Sequence, residues 1–133
     1  MDPVRTHLLD ERRGWVQRTL DCADAVAADW ADGVRDRERV VGPFRAALDR
    51  AGVLETAPAV LAECVAADGR ELAARPVAKP PYVVVTGEGL LLRATLDGGR
   101  LLVRVRAFAV DRDPVRYRRA AATPAEAVGV TRP

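Results

Sequence analysis

Residues 90–107 read LLLRATLDGGRLLVRVRA, a pattern in which side chains alternate in character on both sides of a glycine pair. Alternation with a period of two is typical of a strand with one buried face, and a Gly-Gly centre suits a two-residue hairpin turn. The stretch therefore predicts two antiparallel strands, 90–96 and 101–110, joined by a turn at Gly98 and Gly99.

The turn also predicts a register. If Asp97 pairs with Arg100, then Arg93 lies directly across from Arg104. Because side chains alternate along a strand, the apolar residues share one face, which we expect to be buried against helices. That face includes Leu92, Val103 and Val105. The arginines lie on the other face, toward solvent.

A further strand completes the predicted sheet. Residues 82–86 are rich in β-branched side chains, which favour a strand. Together with the hairpin they predict an antiparallel β-meander of about three strands over residues 81–110. We expect residues 1–120 to form a single α+β domain, and residues 121–133 to be a flexible tail.

The first half of the chain is predicted to be helical over residues 3–68. Asp2 and Pro3 are typical of a helix start, and apolar residues then recur at spacings of three, four and seven. This stripe predicts one long helix over residues 3–35, roughly 45 Å in length. Because a domain of this size is narrower than that, either the helix bends near Gly14 or another subunit covers part of its stripe.

Two shorter helices are predicted after the long one. Pro43 opens the first, which Gly52 ends, and a Thr-Ala-Pro signal precedes the second over residues 59–67. The predicted fold is therefore α+β, with N-terminal helices packed on a C-terminal antiparallel β-meander.

Trp30 lies on the main apolar stripe and Trp15 beside it, so we expect Trp30 to be buried and Trp15 to lie at the edge.

The composition is typical of a globular protein and shows a charge difference between the two halves of the chain. The chain has 133 residues, of which 49% are hydrophobic, and a formal net charge of +2. Residues 1–75 hold 14 acidic residues against 11 arginines, whereas residues 76–133 hold ten basic residues against five acidic ones. The two halves therefore either attract each other or present different surfaces to partners. Without a membrane-spanning run or a secretory signal, we expect a cytoplasmic location.

Lysine is almost absent from the chain. Lys79 is the only one, and Ala, Val and Asp are abundant, which indicates a high-GC prokaryotic genome. Residues 80–108 resemble small uncharacterised haloarchaeal proteins. The resemblance includes no functional motif, so it implies no activity, cofactor or site residue.

Catalytic and metal-binding chemistry has little support in the sequence. His7, the only histidine, lies four residues before Glu11, but two ligands do not complete a metal site. Cys22 would lie roughly 22 Å from His7 along a continuous helix, too far for a nucleophile and its base.

Paired aspartates can hold Mg²⁺ beside a phosphate, although such residues more often keep a helix soluble. These pairs are Asp21 with Asp24 and Asp29 with Asp32. We expect no metal and no cofactor, and two reduced, buried thiols at Cys22 and Cys64.

The arginine-bearing face of the hairpin is the strongest functional candidate. Opposed like charges at Arg93 and Arg104 are unfavourable unless an anionic group compensates them. Further arginines follow in the sequence, and the full candidate set for partner binding is Arg93, Arg104, Arg106, Arg116, Arg118 and Arg119. A solvated surface without function is the alternative interpretation.

These patterns favour a non-enzymatic interaction or helper domain that binds an acidic protein partner. A homodimer through the long helix is a further predicted partnership. The alternative function is a nucleic-acid or other anionic-surface binder, which is less favoured because the face lacks aromatic side chains for base stacking. A small enzyme is the third alternative.

Overall fold

The computed structural model describes residues 1–121 and 123–133, and its helices and antiparallel strands confirm the α+β class. The main sheet follows the long helical region, as predicted. Along the chain the elements are α1 Pro3–Asp10, α2 Arg13–Ala27, α3 Glu38–Arg50, α4 Val53–Ala67, β1 Val83–Thr86, β2 Gly89–Leu96, β3 Gly99–Arg106, β4 Phe108–Asp111, β5 Arg116–Arg119, α5 Pro124–Ala127 and β6 Val128–Thr131.

The prediction of a single long N-terminal helix is wrong. The chain leaves the helical path at Glu11 and Arg12, close to Gly14 where a bend was predicted, and α2 ends well short of residue 35. Asp2 caps α1 as predicted, because its carboxylate accepts the backbone N–H two residues on at 2.9 Å. Two shorter segments can both bury their apolar faces in one core, which a straight helix of the predicted length could not do.

The predicted environments of the two tryptophans are reversed. Trp15 is only 3% exposed, and its Nε1 donates a hydrogen bond to the carbonyl oxygen of Val53 at 3.1 Å. Trp30 lies beyond the end of α2 and is half-buried, with its ring centroid 5.5 Å from that of Phe108. The break before α2 changes the rotation of this helix about its axis, so that Trp15 points into the core.

The next two helices begin earlier than predicted. α3 starts at Glu38 rather than at Pro43, and α4 starts at Val53. Each helix contains a proline, Pro43 or Pro58, which removes one backbone hydrogen bond without ending the helix here. The predicted stop between them is confirmed at Gly52, whose φ of 75° lies in the left-handed region.

The two faces of the hairpin are confirmed, but its register differs from the prediction by two residues. The side chains predicted to be buried are buried: Leu92, Val103 and Val105. Leu96 pairs with Gly99, so the turn is Asp97-Gly98 rather than Gly98-Gly99. Gly98 has a φ of 84°, which favours glycine. A shift of two residues keeps every side chain on its face, so alternation alone does not distinguish the two registers.

The shift separates two arginines that the sequence placed opposite each other. Arg93 pairs with Leu102, and Arg104 pairs with Leu91. The predicted opposition of like charges is therefore wrong. Arginine and leucine instead alternate across the two strands.

The predicted second strand of the hairpin is divided in two. β3 ends at Arg106, and β4 pairs with β5 in a separate two-stranded sheet. This small sheet also contacts the segment after α2, because Val34 and Tyr117 exchange backbone hydrogen bonds at 2.9 and 2.6 Å. Gly33 makes this contact possible, since a Cβ there would lie 2.4 Å from the Tyr117 carbonyl oxygen.

The C-terminal residues do not form the predicted flexible tail. α5 is a short helix, and β6 pairs antiparallel with β3, with Val128 opposite Val105. The main sheet therefore has four strands in the order β1-β2-β3-β6 instead of about three. β6 pairs with backbone groups of β3 that would otherwise form an open edge. Ala122, also within the predicted tail, lies outside the described residues.

Helices α1, α3, α4 and α5 contact strands of the main sheet, whose inner face is buried and whose outer face is partly exposed. Strand residues on the inner face are buried, whereas Leu91 and Leu102 on the outer face are half-buried and Arg106 is exposed. Within residues 1–121 and 123–133, no helix covers the outer face. The connector between α4 and β1 borders it at one end, beside Arg93 and Thr95.

Candidate interaction surface

The outer side of the main sheet carries a surface that we call the arginine face. It comprises Val84, Leu91, Arg93, Leu102, Arg104 and Arg106. In one row across the strands, Leu91 lies between Val84 and Arg104; in the next row, Arg93 lies opposite Leu102. The face therefore presents guanidinium groups separated by partly exposed aliphatic side chains.

The three arginines of this face have no acidic partner among the residues that the structure describes. Arg104 donates from Nη1 to the hydroxyl of Thr131 at 3.0 Å. The Nε of Arg93 is shielded from solvent and has no hydrogen-bond partner in the described part of the chain. A buried N–H without an acceptor costs roughly 1–3 kcal/mol, so Arg93 is held in an unfavourable environment.

A notch of about 380 Å³ opens at one end of the arginine face. Its lining includes Thr86, Glu88, Gly89, Leu91, Arg104 and Arg106. Gly89 leaves a gap between its cross-strand neighbours Thr86 and Arg106, and a Cβ at Gly89 would lie 2.1 Å from the Val105 carbonyl oxygen. Two guanidinium groups and the single carboxylate of Glu88 give the notch a net positive charge, which suits an incoming carboxylate because arginine forms charge-assisted hydrogen bonds with it.

The other three arginines of the predicted set lie elsewhere. Arg116, Arg118 and Arg119 belong to β5, in the two-stranded sheet. Arg116 is exposed, and the Nε of Arg118 lies 3.0 Å from a carboxylate oxygen of Asp111. The structure thus brings together half of the predicted arginines, those of β2 and β3.

Arg119 is held by contacts within the fold. Its Nε donates to a carboxylate oxygen of Asp24 in α2 at 2.8 Å, and its Nη1 donates to the carbonyl oxygen of Ala107 at 2.8 Å. The same guanidinium group also donates to the carbonyl oxygens of Ala120 and Ala121. With these acceptors, Arg119 joins β5 to α2 and is not available to a partner.

His7 contacts Glu63, which the sequence pattern did not indicate. His7 Nε2 lies 2.8 Å from Glu63 Oε1 in α4, rather than beside Glu11. Arg12 binds the same carboxylate through two nitrogens, with Nε 2.8 Å from Oε1. Hydrogen bonds from Arg12, and to a lesser extent from His7, lower the pKa of Glu63. This cluster fixes the break between α1 and α2 against α4, and its partners are too distant in sequence for local spacing to reveal.

Both cysteines are free and buried, as predicted. Burial raises the pKa of Cys64 to about 12 and also raises the pKa of Cys22. A thiol that stays protonated is a poor nucleophile. In the part of the chain that the structure describes, no three His, Cys, Asp or Glu side chains are grouped closely enough to hold a metal ion.

Arg132, in the segment predicted to be flexible, joins the two ends of the helical region. Its Nη1 lies 2.7 Å from Oδ2 of Asp2, and its Nη2 lies 2.8 Å from Oδ1 of Asp68. Asp68 also pairs with Arg70 at 2.7 Å. The hydrogen bond from Arg132 is the largest cause that lowers the pKa of Asp2 to about 2. These contacts span most of the chain, so no local pattern indicates them.

None of the helices among the described residues is long and apolar enough to cross a bilayer. No curated protein and no solved structure matches the chain. The family described as Domain of unknown function (DUF7988) matches residues 2–132, and the chain therefore belongs to that family.

Proposed function

We propose that this protein is a cytoplasmic, non-enzymatic interaction domain whose arginine face binds an acidic segment of a partner protein. One observation carries the proposal. Three arginines share an open sheet face, and none of them pairs with an acid among the described residues. Arginine–carboxylate pairs combine charge with directed hydrogen bonds, so an acidic segment would supply the acceptors that the face lacks.

The aliphatic side chains of the face favour a protein over a nucleic acid. Leu91 and Leu102 are half-buried and alternate with the arginines. Apolar side chains of a partner protein would cover them, whereas a phosphate backbone offers no apolar group in return. Sheets that bind RNA stack about two or three bases on aromatic residues. Among the described residues the arginine face has one such neighbour, Tyr82, which is half-buried and whose carbonyl oxygen accepts a hydrogen bond from the backbone N–H of Arg93 at 2.8 Å.

The notch suggests how the acidic segment binds. A carboxylate placed in it would reach the guanidinium groups of Arg104 and Arg106, while a neighbouring apolar side chain would pack on Leu91. A second acceptor would bind the half-buried side chain of Arg93, which is two positions further along β2. Arginines within apolar surroundings are frequent binding hot spots, so a few contacts could provide most of the affinity.

Site-specific photo-crosslinking tests the proposal in the cell. A photoreactive phenylalanine analogue at Leu91 should capture a protein with an acidic segment, and the charge reversals Arg104→Glu and Arg106→Glu should abolish capture. The same analogue at Val115, which is 40% exposed in the turn between β4 and β5, is the matched control. Equal capture from both positions, or capture that survives the charge reversals in a folded protein, would contradict the proposal.

Binding of a single-stranded oligonucleotide tests the alternative. Fluorescence anisotropy over a salt series should show weak binding that does not depend on the arginine face. The comparison pair is Arg104→Glu with Arg106→Glu, and Arg112→Glu with Arg116→Glu, which change the net charge equally. Binding that falls steeply with salt and is lost only in the first variant would indicate a nucleic-acid binder instead.

A further inference from the structure

A second open surface lies on the opposite side of the fold, between α2 and α3. A groove of about 500 Å³ runs along the two helices. Its floor includes the half-buried side chains of Val26, Trp30 and Ala47, and its walls carry small exposed residues. Its rim carries Ala25, Asp29, Arg39, Pro43, Ala46 and Arg50. Small residues on exposed helix faces allow another helix to approach closely.

The two helices run antiparallel beside the groove. The Sγ of Cys22 lies 3.5 Å from the carbonyl oxygen of Ala47, while Asp29 at the end of the groove lines it together with Arg39. Arg39 and Arg50 lie near opposite ends of α3 and both line the groove, so Arg50 is at the other end. Each end of the groove therefore carries an arginine of α3.

An acid of the α2 region lies beside each end as well. Asp29 lines the groove two residues after α2 ends at Ala27, and Asp21 precedes the lining residue Ala25 by one turn of α2. Arg39, Pro43, Ala46 and Arg50 form the facing stripe of α3 at intervals of four, three and four. At the rise of an α-helix, the two arginines of α3 are about 16 Å apart.

These charges are free within the described residues. Arg39, Arg50 and Asp29 form no ion pair there, and Asp21 accepts a hydrogen bond only from Gln17, at 3.0 Å. All four charged side chains are exposed. Two acids of the α2 region and two arginines of α3 thus lie beside small residues, and none of these four charges is neutralised by another described residue.

We propose that a second copy of this chain binds in this groove, about a twofold axis that runs along it. Such an axis places α2 of one subunit on α3 of the other. Asp29 then faces the partner subunit's Arg39, and Asp21 faces the partner subunit's Arg50. Each contact occurs twice, and the four helices form a compact bundle with small residues at its centre.

The charge pattern selects this axis over the other twofold arrangement. If the axis crossed the helices at right angles, α2 would lie on α2 and α3 on α3. Asp29 would then face the partner subunit's Asp21, and Arg39 would face the partner subunit's Arg50. Like charges would meet at every end of the groove, which is unfavourable.

Sedimentation equilibrium of the full chain tests the dimer over a dilution series. We expect the mass to rise from 14.4 kDa toward twice that value with concentration. Arg39→Asp should weaken association by at least about tenfold, because it removes two attractive pairs and places two pairs of acids together. Asp29→Arg should do the same, and the two substitutions combined in one chain should restore association, because opposite charges again face each other.

Two controls keep the test decisive. Arg112→Asp makes the same charge change in an exposed turn remote from the groove and should leave the association constant unchanged. Trp30 emission should shift to the blue as the dimer forms, whereas Trp15 is already buried. A parent chain that stays monomeric at the highest concentration, an unaffected Arg39→Asp variant, or a folded double variant that fails to associate would each overturn the proposal.

Discussion

Replacing Arg132 with glutamine should lower the free energy of unfolding by about 1–2 kcal/mol at neutral pH. Arg132 bridges Asp2 at the start of α1 and Asp68 after α4, with N–O distances of 2.7 and 2.8 Å. The Asp68 side chain is 11% exposed, while those of Asp2 and Arg132 are 27% and 35% exposed. An isolated surface pair contributes less than about 1 kcal/mol, and a guanidinium shared by two partly shielded carboxylates contributes more.

The pairing of Asp2 gives this stabilisation a pH dependence. The pKa of Asp2 falls from 3.8 to about 2, and for a fully shielded group such a shift corresponds to roughly 2 kcal/mol. Solvent screening reduces this to about 1 kcal/mol. Because the pKa is lower in the folded than in the unfolded state, the stabilisation is complete above the unfolded value and is lost as the pH falls through the folded one. The difference between parent and Arg132→Gln should therefore be constant near neutral pH and shrink between pH 3.8 and about 2.

Urea denaturation followed by circular dichroism, at neutral pH and through the acidic window, measures this difference. Arg112→Gln, in the exposed turn between β4 and β5, is the control and should change stability by less than about 0.5 kcal/mol. Asp2→Asn should destabilise the parent but have little effect in an Arg132→Gln background. An Arg132→Gln variant as stable as the control, or a destabilisation that does not shrink in acid, would refute the bridge.

Three further predictions test other parts of the fold. Gly89→Ala should destabilise the protein by at least about 2 kcal/mol, because the new Cβ would lie 2.1 Å from the Val105 carbonyl oxygen. The control Gly42→Ala in α3, where a Cβ would have nothing within 4 Å, should be neutral or stabilising, and equal melting temperatures of the two variants would contradict the prediction. Cys64 should react with iodoacetamide far more slowly than free cysteine, because burial raises its pKa to about 12, and prompt labelling in native protein detected by mass spectrometry would count against it. Arg119→Leu should lower the free energy of unfolding by about 2–3 kcal/mol, because the Asp24 carboxylate and the Ala107 carbonyl oxygen lose their hydrogen-bond donor. An unchanged midpoint of urea denaturation would contradict this.

The hydrophobic pattern of the hairpin was sufficient to predict which of its residues are buried. Alternation determines the face of each side chain, and burial of one face is the dominant energy term for such a strand. The register was not determined in the same way, because a shift of two residues preserves every face. Only the position of the turn distinguishes the two registers, and both Asp97-Gly98 and Gly98-Gly99 are dipeptides that favour a two-residue hairpin.

The break between α1 and α2 shows why other features could not be predicted. Helical periodicity continues through Glu11 and Arg12, and the residue that fixes Arg12 in place is Glu63, far along the chain. β6 is too short to show a pattern of its own, and its place depends on the edge of β3. The resemblance of residues 80–108 to haloarchaeal proteins stays a prediction.

The charge asymmetry between the two halves of the chain is partly neutralised inside the fold. Arg119 and Arg132 of the basic half pair with three acids of the helical half, namely Asp2, Asp24 and Asp68. These two arginines hold the C-terminal segments against the helices, so they are not available to a partner. The arginine face lies on the far side of the sheet, where no helix covers it within the described ranges. Its arginines belong to the part of the basic excess that pairing among the described residues does not neutralise. For this reason our proposal places the partner on Arg93, Arg104 and Arg106 and not on Arg119 of strand β5.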